Sequence, residues 1–366
     1  MLRALLFIGV MVITSFRGPL PSASLDIAVV GLVHGHVHGY LAEALEREDI
    51  NVLAVVEARA DLREAAAARY GVRPDQLFSS LDEMEAAGIQ PTALTAFTNT
   101  FDHLAVTEWA AARGIHVMME KPLAVSMDHA QRMADAADAA GIHLMVNYET
   151  TWYATNHAAH HASHQPYFGA IRKMVVHDGH FGPKEIGVGE EFLEWLTDPV
   201  LNGGGALTDF GCYGANLMSW LMDGEEPIAV TAVLQQLKSD PVYAEVDDEA
   251  TILVEYSGAQ GIIQASWSWP YHRKDMEVYG DSALAIAPNS TMLRFKQGVQ
   301  TEVSSQPSYP SDVPPDALSY LRDLISGTYV PAPYEPSSLE NNLMVTQILD
   351  AARTSAASGE RVVLKP

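Results

Sequence analysis

Leu25-Asp26-Ile27-Ala28-Val29-Val30-Gly31-Leu32-Val33-His34-Gly35-His36-Val37-His38-Gly39 is an apolar run that meets a glycine-bearing turn and then a helix start. A short apolar stretch bounded by glycine reads as a buried strand. About twenty-five residues beyond the turn, a second apolar run from Val52 to Val56 closes on the acidic Glu57. That interval is where a nucleotide-binding βαβ unit presents a carboxylate to ribose hydroxyls.

Outward from this unit, apolar runs continue to alternate with alanine-rich amphipathic stretches. Strands are expected over 25–31, 51–57, 92–97, 115–119 and 142–146, with helices over 37–48, 60–70, 80–87, 101–113 and 126–140. Asp102 and Ser126 are expected to cap the last two helices. This is the pattern of a doubly wound parallel sheet. After Tyr148 the texture changes to a histidine-rich helix and then β-branched runs at 170–178, 228–236, 249–257 and 260–268, more weakly 275–286. A proline-rich surface loop from Gln306 to Pro315 precedes helices near 316–326 and 337–356. The reading is α/β: a Rossmann domain over 25–148, then an α+β domain over 149–366 with an open, mainly antiparallel sheet, whose final helix packs back on the first domain.

Two further blocks carry chemistry. The first, Val117-Met118-Met119-Glu120-Lys121-Pro122-Leu123, plants a lysine at a strand end. Parallel α/β sheets keep their chemistry at that edge. The second is Asn202-Gly203-Gly204-Gly205-Ala206-Leu207-Thr208-Asp209-Phe210-Gly211-Cys212-Tyr213-Gly214-Ala215-Asn216. Asp209, Tyr213 and Asn216 in it fall at i, i+4 and i+7, one face of a continuous helix.

Together these blocks resemble the glucose-fructose oxidoreductase, inositol dehydrogenase and rhizopine-catabolism (Gfo/Idh/MocA) family, over nearly all of the chain after residue 24. The resemblance implies a nicotinamide-dependent oxidoreductase of a sugar or cyclic polyol. It implies that Lys121 and Tyr213 serve as acid/base groups, with Asp209, Asn216 and His180 on the substrate. Tyr213 stands where many members carry histidine, and Asn216 where they carry aspartate. The tyrosine is similar to the glucose-fructose oxidoreductase branch. An unperturbed phenol titrates near ~10, so a base role would need Lys121 or another cation to lower it.

The cofactor residues follow. Only Gly31 fits the usual G-x-G-x-x-G, because Val33 and His36 replace the second and third glycines. A pyrophosphate can still be held by the backbone N–H groups of Val33, His34, Gly35, His36 and Val37 at a helix N-terminus. Glu57 would repel a 2′-phosphate and so favours NAD, whereas Arg59 leaves NADP open. Thr98, Asn99 and His103 match a Pro-Asn-x-x-His segment of the family with Thr98 in place of proline, and Glu120 and Asn147 border the nicotinamide end. Metal ligation by His34, His36 and His38 is not expected, since no carboxylate stands near them in the sequence. Asp178, Lys184 and the alternating Trp267 and Trp269 followed by Pro270 to Lys274 are weaker substrate candidates.

With 22 basic against 46 acidic residues the net charge is −24, which argues against nucleic acid or an anionic membrane as a partner. A homo-oligomer acting on a small carbohydrate or polyol is expected. Cys212 is the one cysteine, so no internal disulfide forms. Residues 1–24 have the make-up of an export signal, with Arg3 before the apolar stretch Ala4 to Phe16, but Arg17 follows that stretch. An uncleaved anchor or an overlong start reads equally from it; export would follow from the first reading and a cytoplasmic enzyme from the last. Two other functions stay open: a redox-neutral glycosidase or epimerase working through a transient keto-sugar, and a non-catalytic sugar-binding protein.

Overall fold

The computed structural model describes residues 24–364, so the export-signal reading lies outside the described residues. The first sheet has six parallel strands, β1 (Leu25–Val30), β2 (Ile50–Val56), β3 (Leu77–Phe78), β4 (Ala93–Ala96), β5 (His116–Glu120) and β6 (Leu144–Asn147), in the order β3-β2-β1-β4-β5-β6. Its crossover helices are α1 (Val37–Glu46), α2 (Ala60–Tyr70), α3 (Leu81–Ala86), α4 (His103–Ala111) and α5 (Met127–Ala140). Strand order reverses between β1 and β4, and the crevice at the carboxyl ends of these strands is the position open to a ligand in such sheets.

The helix starts differ from expectation in one detail. Ser126 accepts a bond from His129 N–H, as its side chain predicts, but Asp102 makes no capping bond. Asn99 Oδ1 instead accepts from the Asp102 N–H at 2.9 Å, and Asn99 Nδ2 donates to the Asp102 carboxylate at 2.8 Å. The amide, with both a donor and an acceptor, closes the turn that the carboxylate cannot close alone.

Past a short helix, α6 (Ala154–Ser163), the second sheet begins with β7 (Ile171–Gly179). Short helices α7 (Pro183–Ile186), α8 (Glu190–Leu196) and α9 (Ala206–Asp209) lead into α10 (Gly211–Leu221). The remaining strands are β8 (Ala229–Gln235), β9 (Glu249–Glu255), β10 (Gln260–Ser266), β11 (Arg273–Gly280), β12 (Ala283–Ala287), β13 (Leu293–Gln297), β14 (Val303–Ser305) and β15 (Val362–Val363). Their order is β14-β13-β12-β11-β7-β10-β9-β8-β15, antiparallel except where β10 runs parallel to β7. The weak run at 275–286 is therefore a hairpin, and β13, β14 and β15 were not legible because β13 and β14 mix polar with apolar residues and β14 and β15 are very short edge strands.

Two C-terminal helices tie the sheets together. In α11 (Ala317–Ser326), Leu318, Tyr320 and Leu321 pack into the core under β1 and β2. Arg47 pairs with Asp316 at 2.8 Å beside them. The long α12 (Leu339–Ser358) lies along α10 and β8 and also reaches α5, where Met127 N–H donates to Asp350 at 2.7 Å. The crevice between the sheets is thus framed from both sides.

Candidate active site

Gly31 makes the turn after β1. Its φ is +83°, and a Cβ there would lie 2.7 Å from the Thr98 backbone nitrogen, so the approach of β1 to β4 requires glycine. Glu57, at the end of β2 and 6% exposed, accepts from the Leu32 and Arg59 N–H groups at 2.7 and 2.9 Å. Of the expected cradle, His34 N–H goes to Phe97 O, His36 N–H to His34 Nδ1 and Val37 N–H to His34 O. The Val33 and Gly35 amides make no hydrogen bond among the described residues and remain for an anion. α8 folds over this turn, with the Phe192 ring 4.6 Å from His34 and Trp195 Nε1 donating to Val33 O.

Glu120 is fully buried and gathers the crevice. One oxygen accepts from Asn147 Nδ2 at 2.8 Å, while the other lies 3.1 Å from His36 Nδ1 and 3.9 Å from His34 Nε2. So a carboxylate does meet two of the loop histidines, brought from 84 residues away by the strand order. It is met as a hydrogen-bond acceptor: His34 Nδ1 already accepts the His36 N–H, which leaves the proton on the nitrogen facing Glu120. Burial pushes the His34 imidazole well below its ordinary value, with the neighbouring His36 acting the same way. Thr98 bonds the Asn99 carbonyl, and Arg59 pairs with Asp61 at 2.7 Å and Glu194 at 3.6 Å. His103 is 1% exposed under the β5 loop, its Nδ1 3.1 Å from Leu123 O, so it braces the lysine loop from beneath.

Beyond this crevice lies a cavity of about 880 Å³ whose wall includes His36, Lys121, His180, Asp209, Tyr213 and Lys274. The Lys121 ammonium forms an ion pair with Asp209 Oδ1 and sits 5.3 Å from the centre of the Tyr213 ring. Trp267 Nε1 holds the other Asp209 oxygen at 2.9 Å. Burial opposes the charge on Lys121, but the Asp209 carboxylate outweighs it and raises the amine above its ordinary value. Burial likewise opposes the charge on Asp209, and Lys121 holds it below the ordinary carboxylate range. Tyr213 departs from expectation. Burial, with Glu149 and Asp178 adding to it, pushes the phenol well above its ordinary value rather than below. His180 lines the same wall, with Nδ1 accepting the Gly182 N–H at 2.9 Å, and burial lowers it to about 4.

Asn216 is not on this wall. The helix breaks at Phe210 between α9 and α10, so the i, i+4, i+7 face is not continuous, and fully buried Asn216 donates to Pro336 O at 2.7 Å. Three groups that sequence reasoning left unassigned or only suggested stand in the site instead. Lys274 Nζ lies 4.3 Å from the centre of the Tyr213 ring and 2.6 Å from Glu149, and strand register sets it opposite the buried Asp178. Burial works against the Glu149 charge, but Lys274 brings the group to about 2. Burial raises Asp178 well above its ordinary value, against the pull of Lys274. The sequence marks Asp178 and Lys274 only weakly and Glu149 not at all, because the β7–β11 pairing sets Lys274 opposite Asp178 and the Lys274–Glu149 ion pair brings in the third.

The NAD-binding Rossmann-fold model of the oxidoreductase family matches residues 25–148, and the Gfo/Idh/MocA C-terminal-domain model matches 156–286. The chain belongs to the Gfo/Idh/MocA family. Its first domain is accordingly an NAD-binding Rossmann fold, and the glycine turn, free amides and Glu57 at the switch point fit a dinucleotide. Among Gfo/Idh/MocA relatives, rabbit (Oryctolagus cuniculus) trans-1,2-dihydrobenzene-1,2-diol dehydrogenase is 28% identical over 63% of this chain and 65% of that enzyme, just under two thirds of its length. GenD2 of gentamicin A biosynthesis, solved with NAD, superposes with a TM-score of 0.75 at 25% identity over 96% of this chain and 99% of that one. The aldose-aldose oxidoreductase of Caulobacter crescentus, solved with glycerol, shares the fold at a TM-score of 0.78 and 24% identity, over 93% and 100%.

Proposed function

We propose that this enzyme interconverts a hydroxyl and a carbonyl on a sugar or cyclic polyol, with Lys121 and Tyr213 as its acid/base groups. The observation that carries the reading is the meeting of the Lys121 ammonium, Asp209 and the Tyr213 phenol on one cavity wall beside the dinucleotide crevice. When bound, NAD supplies the hydride acceptor at its nicotinamide. Glu57 and the Val33 and Gly35 amides would hold its adenosine ribose and pyrophosphate, and Glu120, Asn147 and Asn99 border the rest. NAD is favoured over NADP, because the Glu57 carboxylate repels a 2′-phosphate and Arg59 is already engaged by Asp61 and Glu194.

Lys121 stays protonated at neutral pH, so it acts as the hydrogen-bond donor that stabilises an alkoxide at the substrate oxygen. Asp209, both oxygens occupied, fixes that ammonium in place and lends substrate at most a shared contact. In the reducing direction Tyr213, held neutral by burial, gives its proton to the alkoxide that forms at the substrate oxygen, and in oxidation its phenolate takes that proton back, the place that the glucose-fructose oxidoreductase branch gives to tyrosine. His180 offers substrate a neutral imidazole. Half-buried Val175, Leu253, Ile262 and Ile286 on the outer face of the second sheet support assembly as a homo-oligomer.

The test is a sugar and polyol panel read at the nicotinamide absorbance with the purified enzyme, alongside Lys121→Ala. Turnover should fall by about 10²-fold or more in the variant while NAD still binds. Undiminished turnover would remove Lys121 from the mechanism. Release of an aglycone with no net NADH would move the reading to redox-neutral chemistry.

A further inference from the structure

Helix α6 carries His160 and His161 and is closed by His164 at its C-terminal cap, and the active site uses none of the three. His160 and His164 are one helical turn apart and therefore share a face. Their rings lie 4.2 Å apart, and His160 is stacked flat on Trp220 of α10 at 4.1 Å and 7°. Opposite them, just past the end of α10, stands Asp223. It adopts the left-handed conformation, φ 49°, at a helix end where glycine is the ordinary residue. Aspartate there turns a carboxylate onto the two imidazoles: Asp223 Oδ2 is 3.1 Å from His164 Nε2 and Oδ1 is 4.0 Å from His160 Nε2.

The tautomers make this arrangement more than an ion pair. His164 Nδ1 donates to the His160 carbonyl at 2.8 Å, which in the neutral ring leaves a lone pair on Nε2. That lone pair faces a carboxylate oxygen, so two acceptors meet. His160 Nε2 is buried without a hydrogen-bond partner among the described residues and points to the same place. A histidine that donates one ring N–H to a backbone carbonyl and aims the other nitrogen at a shared point has the support that metal-bound imidazoles have. The cluster at His34, His36 and Glu120 lacks this feature, because His34 turns its protonated nitrogen inward.

We propose that His160, His164 and Asp223 form a binding site for one divalent first-row ion of the zinc class, separate from the active site, that staples α6 to α10. Two imidazoles and one carboxylate suit zinc, cobalt or nickel better than magnesium or calcium. The three ligand atoms lie within 4.8 Å of one another, and the exposed Asp223 side chain can close the set onto an ion ~2.0–2.2 Å away, with water completing the shell. The ion would act on the pocket at one remove: α6 begins directly after Tyr153 on the cavity wall, and α10 carries Tyr213.

The experiment uses the full chain after chelator treatment. Zn²⁺ is titrated calorimetrically and Co²⁺ by its visible absorption, with wild type, His164→Ala, Asp223→Asn and the off-face control His161→Ala in parallel. Wild type and the control should take one ion per chain and show Zn²⁺-dependent thermal stabilisation. The two ligand variants should bind at least about tenfold more weakly and lose that stabilisation. Asp223→Asn keeps the shape of the turn, so a folding defect in the other variant would not hide the answer. No saturable Zn²⁺ binding by wild type, or equal weakening by His161→Ala, would overturn the proposal in favour of a protonated His164 paired with Asp223.

Discussion

At the scale of single residues, the site is governed by burial and pairing more than by residue identity. Lys121 and Tyr213 are both held in their protonated forms, the first by Asp209 against its own burial, the second by burial. Groups raised in this way keep their protons at neutral pH, so they serve as donors to a developing alkoxide and little of either is present as a base. Carbonyl reduction should therefore run well near neutrality, whereas alcohol oxidation should speed up as pH rises from about 7 towards about 10. Rate profiles in both directions check this, and an oxidation rate that declines across that range would contradict it. Tyr213→Phe should lower turnover by about 10²-fold or more with little change in NAD affinity. Lys121, Glu120 and Asp209 were legible as chemistry because their neighbours in sequence are unusual. Lys274 and Asp178 were legible only as weak candidates and Glu149 not at all, since nothing local distinguishes them from solvated charges.

At the scale of elements, the glycine block shows how a short motif is made to hold one geometry. A Cβ on Gly205 would fall 1.8 Å from the Asp247 carbonyl oxygen, so the chain passes in direct contact with that backbone. The Asp247 carboxylate then accepts from the Gly205 and Leu207 N–H groups at 2.9 and 2.7 Å and anchors the start of α9, which ends in Asp209. Asp247→Ala leaves two of these amides without an acceptor, at a cost of about 2–4 kcal/mol. A denaturant titration should show that loss, together with a fall in kcat/KM at preserved NAD affinity. A stability within about 0.5 kcal/mol of wild type would refute the anchoring role. The break at Phe210 was invisible in a pattern that reads as one helix. It separates Asn216 from the site because α10 is buried along its length and Asn216 Nδ2 donates to Pro336 O instead.

At the scale of the whole molecule, buried neutral histidines couple stability to pH. Burial lowers His103 from 6.5 to about 4, so between these values the unfolded chain binds a proton that the folded chain refuses. Its contribution is complete above about 6.5 and shrinks by ~1.4 kcal/mol per pH unit as pH falls towards 4. Unfolding free energies at about pH 7, 5.5 and 4.5 should fall in that order, and His103→Asn should flatten the slope by about one proton. An unchanged slope in the variant would show that His103 is not the group responsible.

What the sequence determined by itself was the run of elements and the edge where chemistry lies. Apolar periodicity, glycine turns and strand-end charges are local signals, and they sufficed for five of the six parallel strands around Gly31 and for placing Glu57 and Lys121 at the ends of β2 and β5, but not for the two-residue β3. Only tertiary structure decided which charges meet. Glu120 reaches the loop histidines across β4, Lys274 faces Asp178 through the β7–β11 register, and α11 covers the first sheet from far down the chain. The physical reason is that pairing and burial act between segments distant in sequence, and they set the protonation states on which this site depends.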